Sequence, residues 1–233
     1  MSTAAVIGST GLVGSHILST LLNSDAVAAV HTISRRAPKS SGAKLQAAVE
    51  PDTTQWAGKL SAITPPPTTV FSALGTTRQA AGGIANQWKI DHDLNIELAK
   101  AAKARGVRNF VFISSAGTRG LLSGHVPYAQ MKVGVEDAIK ELGFDHAVIL
   151  RPGLIIGERE KAHQGGWLMN AFVNGLGRIA GQGARDALGQ DADVIAKAAV
   201  HAARLAEEGK APEKYWVVEQ ADIVRLGRTE WKD

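Results

Sequence analysis

Short unbroken apolar runs alternate along this chain with longer stretches in which apolar residues recur at helical spacing. Unbroken runs fit strands buried on both faces and the spaced stretches fit covering helices, which predicts an α/β fold with a mainly parallel sheet. The first run is Ala4–Ile7, followed by a helix whose buried face is Ile17, Leu18, Leu21 and Leu22. Val27–Ser34 reads as a second strand, Lys44–Glu50 as a short third and Trp56–Ile63 as a short helix. Pro65-Pro66-Pro67 breaks the chain before a fourth strand, Thr69–Leu74. The Ala- and Gly-rich segment Gln79–Ala85 predicts a mobile loop, and Gln87–Arg105 a long helix stopped by Gly106, with Ile90, Leu94, Leu98 and Ala101 on one face. A fifth strand, Asn109–Ile113, a helix from Tyr128 to Gly143 and a sixth strand, His146–Leu150, follow. Beyond them, Gly165–Val173 is an apolar helical segment, Asp191 stands where it can cap a helix over Ala192–Glu208, and Tyr215–Glu219 is a last strand. The expectation is one doubly wound Rossmann domain, with residues from about 153 onward contributing a small substrate lobe.

The first strand opens into Gly8-Ser9-Thr10-Gly11-Leu12-Val13-Gly14. Gly8 suits a tight turn, Gly11 lets backbone approach a pyrophosphate, and Gly14 lets the helix pack on the strand, with the phosphates at the positive end of the helix dipole. The spacing is G-x-x-G-x-x-G rather than the commoner G-x-G-x-x-G, and an ordinary strand-to-helix turn is the alternative. At the end of the second strand, where dinucleotide folds meet the adenosine ribose, stand Arg35 and Arg36 with no acidic residue. An acid there repels a 2′-phosphate and arginine accommodates it, so the pair points to NADP(H); a solvated strand end is the plain alternative.

Composition narrows the classes. The 233 residues are 45% hydrophobic and 21% charged, ordinary for a globular protein, and contain no cysteine for disulfides or thiolate metal sites. The net charge of +4 is spread without a dense basic run or aromatic-interleaved patch, which argues against nucleic-acid binding. The seven histidines show no metal-ligand spacing. No apolar run reaches the length of a membrane span, and no signal or transit peptide is expected ahead of the first strand. Any membrane attachment is therefore expected to be peripheral.

Candidate chemistry follows the fifth strand. Ser114-Ser115 ends it, and Tyr128-Ala129-Gln130-Met131-Lys132 begins the next helix with Tyr and Lys on one face. A phenol so placed serves as a general acid toward a carbonyl, a neighbouring ammonium favours its phenolate and reaches a nicotinamide ribose, and a Ser hydroxyl orients the substrate oxygen.

On these motifs, with Leu74-Gly75-Thr76-Thr77-Arg78 and Leu150-Arg151-Pro152-Gly153-Leu154-Ile155-Ile156-Gly157-Glu158-Arg159, the chain resembles the atypical, NAD(P)-binding branch of the short-chain dehydrogenase/reductase superfamily. Within that branch it is most similar to the fungal mitochondrial outer-membrane proteins related to the animal Tat-interacting oxidoreductase. The resemblance implies Tyr128 as proton donor, Lys132 as its ribose-binding partner, and Ser115, or else Ser114, as the substrate-orienting hydroxyl. It implies Gly8, Ser9, Thr10, Gly11, Leu12 and Val13 around the pyrophosphate, Arg35 and Arg36 on the 2′-phosphate, Leu74 and Gly75 on the adenosine side, and Leu154 and Ile155 near the carboxamide. Where many members carry a relay asparagine, this chain has Asp91, with Asn95 one turn on as a substitute or a surface residue. The resemblance implies that Trp167, Met169 and Phe172 line the substrate pocket; packing on the sheet edge is an equal alternative, and a surface-seeking anchor the third. The implied activity is NADPH-dependent hydride transfer to or from a small carbonyl or alcohol. The rival is a non-catalytic NADP(H) sensor acting on a protein or membrane partner, and the intact Ser, Tyr and Lys favour the enzyme. The resemblance also suggests peripheral association with the cytosolic face of the mitochondrial outer membrane.

Overall fold

The computed structural model describes residues 1–120, 123–157 and 189–232. A seven-stranded sheet runs in the order β3-β2-β1-β4-β5-β6-β9, and every pairing in it is parallel. Its strands are β1 (Ser2–Ile7), β2 (Val27–Ser34), β3 (Leu45–Val49), β4 (Thr69–Ser72), β5 (Asn109–Ile113), β6 (His146–Leu150) and β9 (Tyr215–Val218). Every residue of β4 and β5 is buried, as their unbroken apolar runs require of central strands. Strand order reverses between β1 and β4, so the crevice at their carboxyl ends is the topological switch point where ligands sit in such folds.

Helices cover both faces. On one, α1 (Leu12–Asn23) and α7 (Ala192–Glu207) bury Ile17, Leu18, Ile195 and Ala199 against Val6, Val111 and Val148. The alanines of α7 let it lie close to α1. On the other, α2 (Trp56–Ala62), α5 (Leu94–Ala104) and α6 (Pro127–Leu142) bury Leu60, Leu98, Val135 and Ile139 against Ile7, Phe110 and Phe112. After β9 the chain forms α8 (Gln220–Val224) and a π-helical turn at Arg225–Thr229 that docks on α7. There a Cβ on Gly227 would meet the Val194 carbonyl oxygen at 2.1 Å.

Four expectations need correction. Gln79–Ala85 is not a loop: α3 (Arg78–Ala81) and α4 (Ile84–Trp88) occupy it, broken by Gly82 and Gly83 at φ +75° and +141°. Thr77 caps α3 by accepting from the Ala80 N–H. The single helix over Gln87–Arg105 is interrupted by a π-helical turn at Lys89–Asp93. The extra residue rotates the buried face, so Gln87, Asp91 and Asn95 turn inward with Leu94 and Leu98, while Ile90 is only half-buried. Asp191 holds the N-cap position of α7 but makes no capping hydrogen bond, its carboxylate lying 3.6 Å from Arg228. The stretch Pro152-Gly153-Leu154-Ile155 after the sixth strand, expected as a turn that offers backbone groups to the carboxamide, leads at Leu154 into a strand, β7 (Leu154–Ile156), paired in parallel with β8 (Gly189–Asp191). Most of the described chain beyond residue 188 thus belongs to the main sheet and its cover. Glu158, Arg159, Trp167, Met169 and Phe172 lie outside the described residues.

Candidate active site

The glycine turn is built from close backbone approach. Gly8 has φ +83°, and a Cβ on it would meet Ala73 O at 2.6 Å, while one on Gly14 would meet Gly8 O at 2.1 Å. The turn closes through Gly11 N–H to Gly8 O at 2.9 Å, and Gly11 is the N-cap of α1 with no side-chain cap. The helix therefore starts without an internal acceptor over its first amides, an anion-binding arrangement. Ser9 Oγ is buried with no partner in the protein, an orphaned donor inside the turn. A dinucleotide pyrophosphate meets both needs, so Gly8, Ser9, Thr10, Gly11, Leu12 and Val13 fit the group. Arg36, exposed at the end of β2, reaches across to Thr10 O at 3.4 Å, and Arg35 beside it is also exposed. Leu74 and Gly75 leave β4 directly beside Gly8.

At the carboxyl end of β5 the two serines part. Ser115 lines an open cavity of about 380 Å³ together with Thr118, Val126 and Tyr128. Ser114 is buried, and its hydroxyl donates to Glu136 Oε1 at 2.6 Å. Tyr128, in the first turn of α6, is 39% exposed, whereas Lys132 one turn on is 5% exposed. Lys132 Nζ donates to Ile113 O at 3.0 Å, lies 4.7 Å from the Phe112 ring centre and 6.0 Å from that of Tyr128. The fold thus brings Ser115 and Tyr128 to one cavity with Lys132 beneath, and turns Ser114 away from it. Leu154 is 37% exposed on β7, while Ile155 packs on the core. The preceding turn is latched to the serine loop by Ala116 N–H to Pro152 O at 2.7 Å.

Two buried carboxylates brace this edge. Glu136, fully buried on α6, accepts from Ser114, from Arg151 Nη2 at 2.7 Å and Nε at 3.1 Å, and from Arg119 Nε at 3.0 Å. Burial alone would push its carboxyl up, but the bonds from Arg151, Ser114 and Arg119 together hold it below the ordinary glutamate value. Arg151 also donates to Glu219 at 3.0 Å. Tyr215, whose hydroxyl donates to Glu136 O at 3.3 Å, is pushed up to about 12, chiefly by burial. Asp91 is likewise fully buried. It accepts from Thr76 N–H at 2.7 Å and Gln87 Nε2 at 3.2 Å. Burial raises its carboxyl above the usual range, opposed by the charge of Lys132 and by those two bonds. Asn95 is not a surface residue: it is fully buried and accepts from Ser72 Oγ at 2.6 Å.

A family profile described as the NAD dependent epimerase/dehydratase family matches residues 4–217. The chain belongs to that family. It is 63% identical over 233 residues, covering 100% of both chains, to Protein FMP52, mitochondrial, of Chaetomium globosum. The protein of the same kind in Neurospora crassa is 63% identical over 236 residues, covering 100% of this chain and 98% of its own. These relatives agree with the fungal mitochondrial resemblance drawn from the motifs. Among solved structures, the fold matches a UDP-N-acetylglucosamine 4-epimerase of Methanobrevibacter ruminantium in complex with UDP-N-acetylmuramic acid. The TM-score is 0.69 at 18% identity, covering 94% of this chain and 76% of that one. A short chain dehydrogenase family protein of Francisella tularensis matches at TM-score 0.66 and 14% identity, covering 95% and 98%.

Within this NAD dependent family's sheet, sequence reasoning located the glycine turn, the arginines and the Tyr-x-x-x-Lys pair, but missed buried Glu136 with its two arginine partners, half-buried Arg151 and exposed Arg119. Glu136 stands four residues after Lys132, on the same helical face, and that spacing was the available signal. No helix among the described residues is long and apolar enough to cross a membrane.

Proposed function

We propose that the protein is an NADPH-dependent oxidoreductase that interconverts a small carbonyl compound and its alcohol. The observation that carries this reading is that Ser115 and Tyr128 line one cavity, with Lys132 beneath Tyr128, at the same sheet edge as the glycine turn. In the reductive direction the bound nicotinamide supplies a hydride to the carbonyl carbon. Tyr128 gives its phenolic proton to the carbonyl oxygen, so that carbonyl, hydride and that proton together make the alcohol, and the phenolate left on Tyr128 regains a proton from solvent. Ser115 hydrogen-bonds that oxygen and fixes its distance from the phenol. Lys132, held by Ile113 O, presents its remaining donors to the nicotinamide ribose. Arg35 and Arg36 hold the 2′-phosphate at the end of β2. The mitochondrial names of the relatives support a place at the mitochondrion, and the peripheral position on the cytosolic face of its outer membrane follows from the resemblance alone.

Tyr128→Phe tests the chemistry. Carbonyl reduction should fall by roughly a hundred-fold or more while NADPH affinity stays near that of the parent. Full activity in the variant rules out the tyrosine as donor. No turnover on any carbonyl in the parent, with NADPH bound tightly, points instead to a regulatory NADP(H)-binding module. For location, carbonate or high-salt washing of mitochondria should release the protein, and resistance to both contradicts peripheral attachment.

A further inference from the structure

We propose that the cavity beside Tyr128 accepts neutral, apolar carbonyl compounds and rejects anionic ones, phosphorylated and nucleotide-linked sugars included. This rests on the reductase reading and adds the substrate class to it. Among the described residues, the cavity walls are glycine, alanine and Val126, with three hydroxyl groups on Ser115, Thr118 and Tyr128. Thr118 already donates to Ser115 O at 3.1 Å, while the Ser115 hydroxyl makes only a long bond to Ala116 O at 3.4 Å, so Ser115 and Tyr128 are the pair that could meet one carbonyl oxygen. The volume of about 380 Å³ suits a small molecule rather than a dinucleotide-sized one.

Two arginines of the described residues at this edge of the sheet, Arg119 and Arg151, are engaged elsewhere. Arg119 follows Thr118 directly, yet its Nε lies on Glu136 and its Nη2 on Asp137, and it lines the neighbouring hollow with Gln130 and Val133 instead. Arg151 is divided between Glu136 and Glu219. Three carboxylates thus occupy both guanidiniums, and Lys132 lies buried beneath Tyr128 with its ammonium on Ile113 O. Among the described residues, an anion entering here loses hydration and finds no guanidinium on the cavity wall, so a phosphate meets none of the bidentate partners that usually hold it. A neutral aldehyde or ketone loses little water and gains both the apolar walls and the paired hydroxyls.

The test compares benzaldehyde and hexanal with para-carboxybenzaldehyde and UDP-glucose, following NADPH consumption or NADP+ reduction by the full chain. The neutral aldehydes should exceed para-carboxybenzaldehyde in kcat/KM by about a hundred-fold, and UDP-glucose should not react. A binding arm separates this claim from the reductase reading: benzamide against para-carboxybenzamide, titrated into NADP+-loaded protein by ligand-observed NMR. The neutral amide should bind at least about ten-fold more tightly. Val126, half-exposed on the wall, allows a switch: Val126→Arg should raise kcat/KM for the carboxylate at least about ten-fold relative to benzaldehyde. Equal or tighter binding of the anion, binding of neither amide, or turnover of UDP-glucose overturns the proposal. A silent Tyr128→Phe substitution would overturn only the mechanism.

Discussion

The two ends of the crevice are built by opposite means. At β1–α1 the site is made of what side chains lack: Gly8 and Gly14 let strand, turn and helix approach to distances no Cβ permits. At β5–α6–β6 it is made of buried charge, with Glu136 tying Ser114, Arg119 and Arg151 into one group. The first device is mostly local, with Gly8, Gly11 and Gly14 in one turn and only the approach of Gly8 to Ala73 reaching the end of another strand. The second joins Ser114 to Glu136 across 22 residues and Arg151 to Glu219 across 68. A backbone cradle tolerates variation in everything except glycine. A cluster centred on a buried carboxylate tolerates little change at that centre, because the loss of Glu136 strands Ser114 and Arg151.

The sharpest break of this comparison is Gly14→Ala. The added Cβ would stand 2.1 Å from Gly8 O, a backbone atom that cannot swing aside, so α1 must move off β1. The cost should lie near the upper end for single substitutions, about 4–5 kcal/mol, with cofactor binding lost as well. Urea unfolding and a cofactor titration measure both. Near-parental values in each would show that the cradle is not shaped by close approach.

Next comes Glu136→Ala, which strands Arg151 and Ser114 and should cost about 3–5 kcal/mol. The pH dependence has a definite sign. A carboxyl held below the ordinary value of 4.5 contributes stability fully present above that value and lost as pH falls through its lower folded value. The gap in unfolding free energy between parent and Glu136→Ala should therefore be constant near neutrality and narrow below pH 4.5. A gap that widens on acidification contradicts the network as described.

The same contrast explains what the sequence makes legible. Strands β1, β2, β4, β5 and β6 could be read because buried parallel strands carry unbroken apolar runs, and the turn because close approach demands glycine at fixed offsets. The interrupted helix could not be read. A π-helical turn at Lys89–Asp93 leaves the local pattern helical, so the sequence reading puts Ile90 and Ala101 on the inward face and leaves Asn95 open between a relay substitute and a surface residue, whereas Gln87, Asp91 and Asn95 are buried. Gly82 and Gly83 suggested a loop because their left-handed conformations are loop-like, although each only joins two short helices. Ser114 and Ser115 are identical as letters; only the pleat of β5 and the position of Glu136 separate them.

Arg35 and Arg36 sharpen the comparison from the cofactor's side, since they add charge to an edge otherwise made of backbone. A charge-assisted hydrogen bond contributes roughly 1.5–3 kcal/mol, so NADPH should bind at least about ten-fold more tightly than NADH, with the gap shrinking as salt rises. Replacing both by alanine should weaken NADPH and leave NADH nearly unchanged in a nicotinamide-fluorescence titration. Equal affinities in the parent would make them ordinary surface charges.

The smallest expected effect is the one that best separates the two edges, because Asp91 lies between them, bonded to the Thr76 loop and facing the charge of Lys132. Its carboxyl is raised by burial, with Lys132, the Thr76 N–H and Gln87 opposing. A carboxyl raised on folding favours the folded state most while protonated, and that contribution fades as pH rises through its folded value. Asp91→Asn keeps an oxygen for the Thr76 N–H and removes the ionisation. The variant should match the parent near pH 3.8 and become more stable than it toward neutrality, by no more than about 1 kcal/mol. Urea unfolding of both proteins at several pH values reads the difference directly and cancels every other titrating group they share. If the parent instead gains on the variant as pH rises, the attraction to Lys132 outweighs burial. Asp91 would then belong with Glu136 as a second member of the charge-built edge.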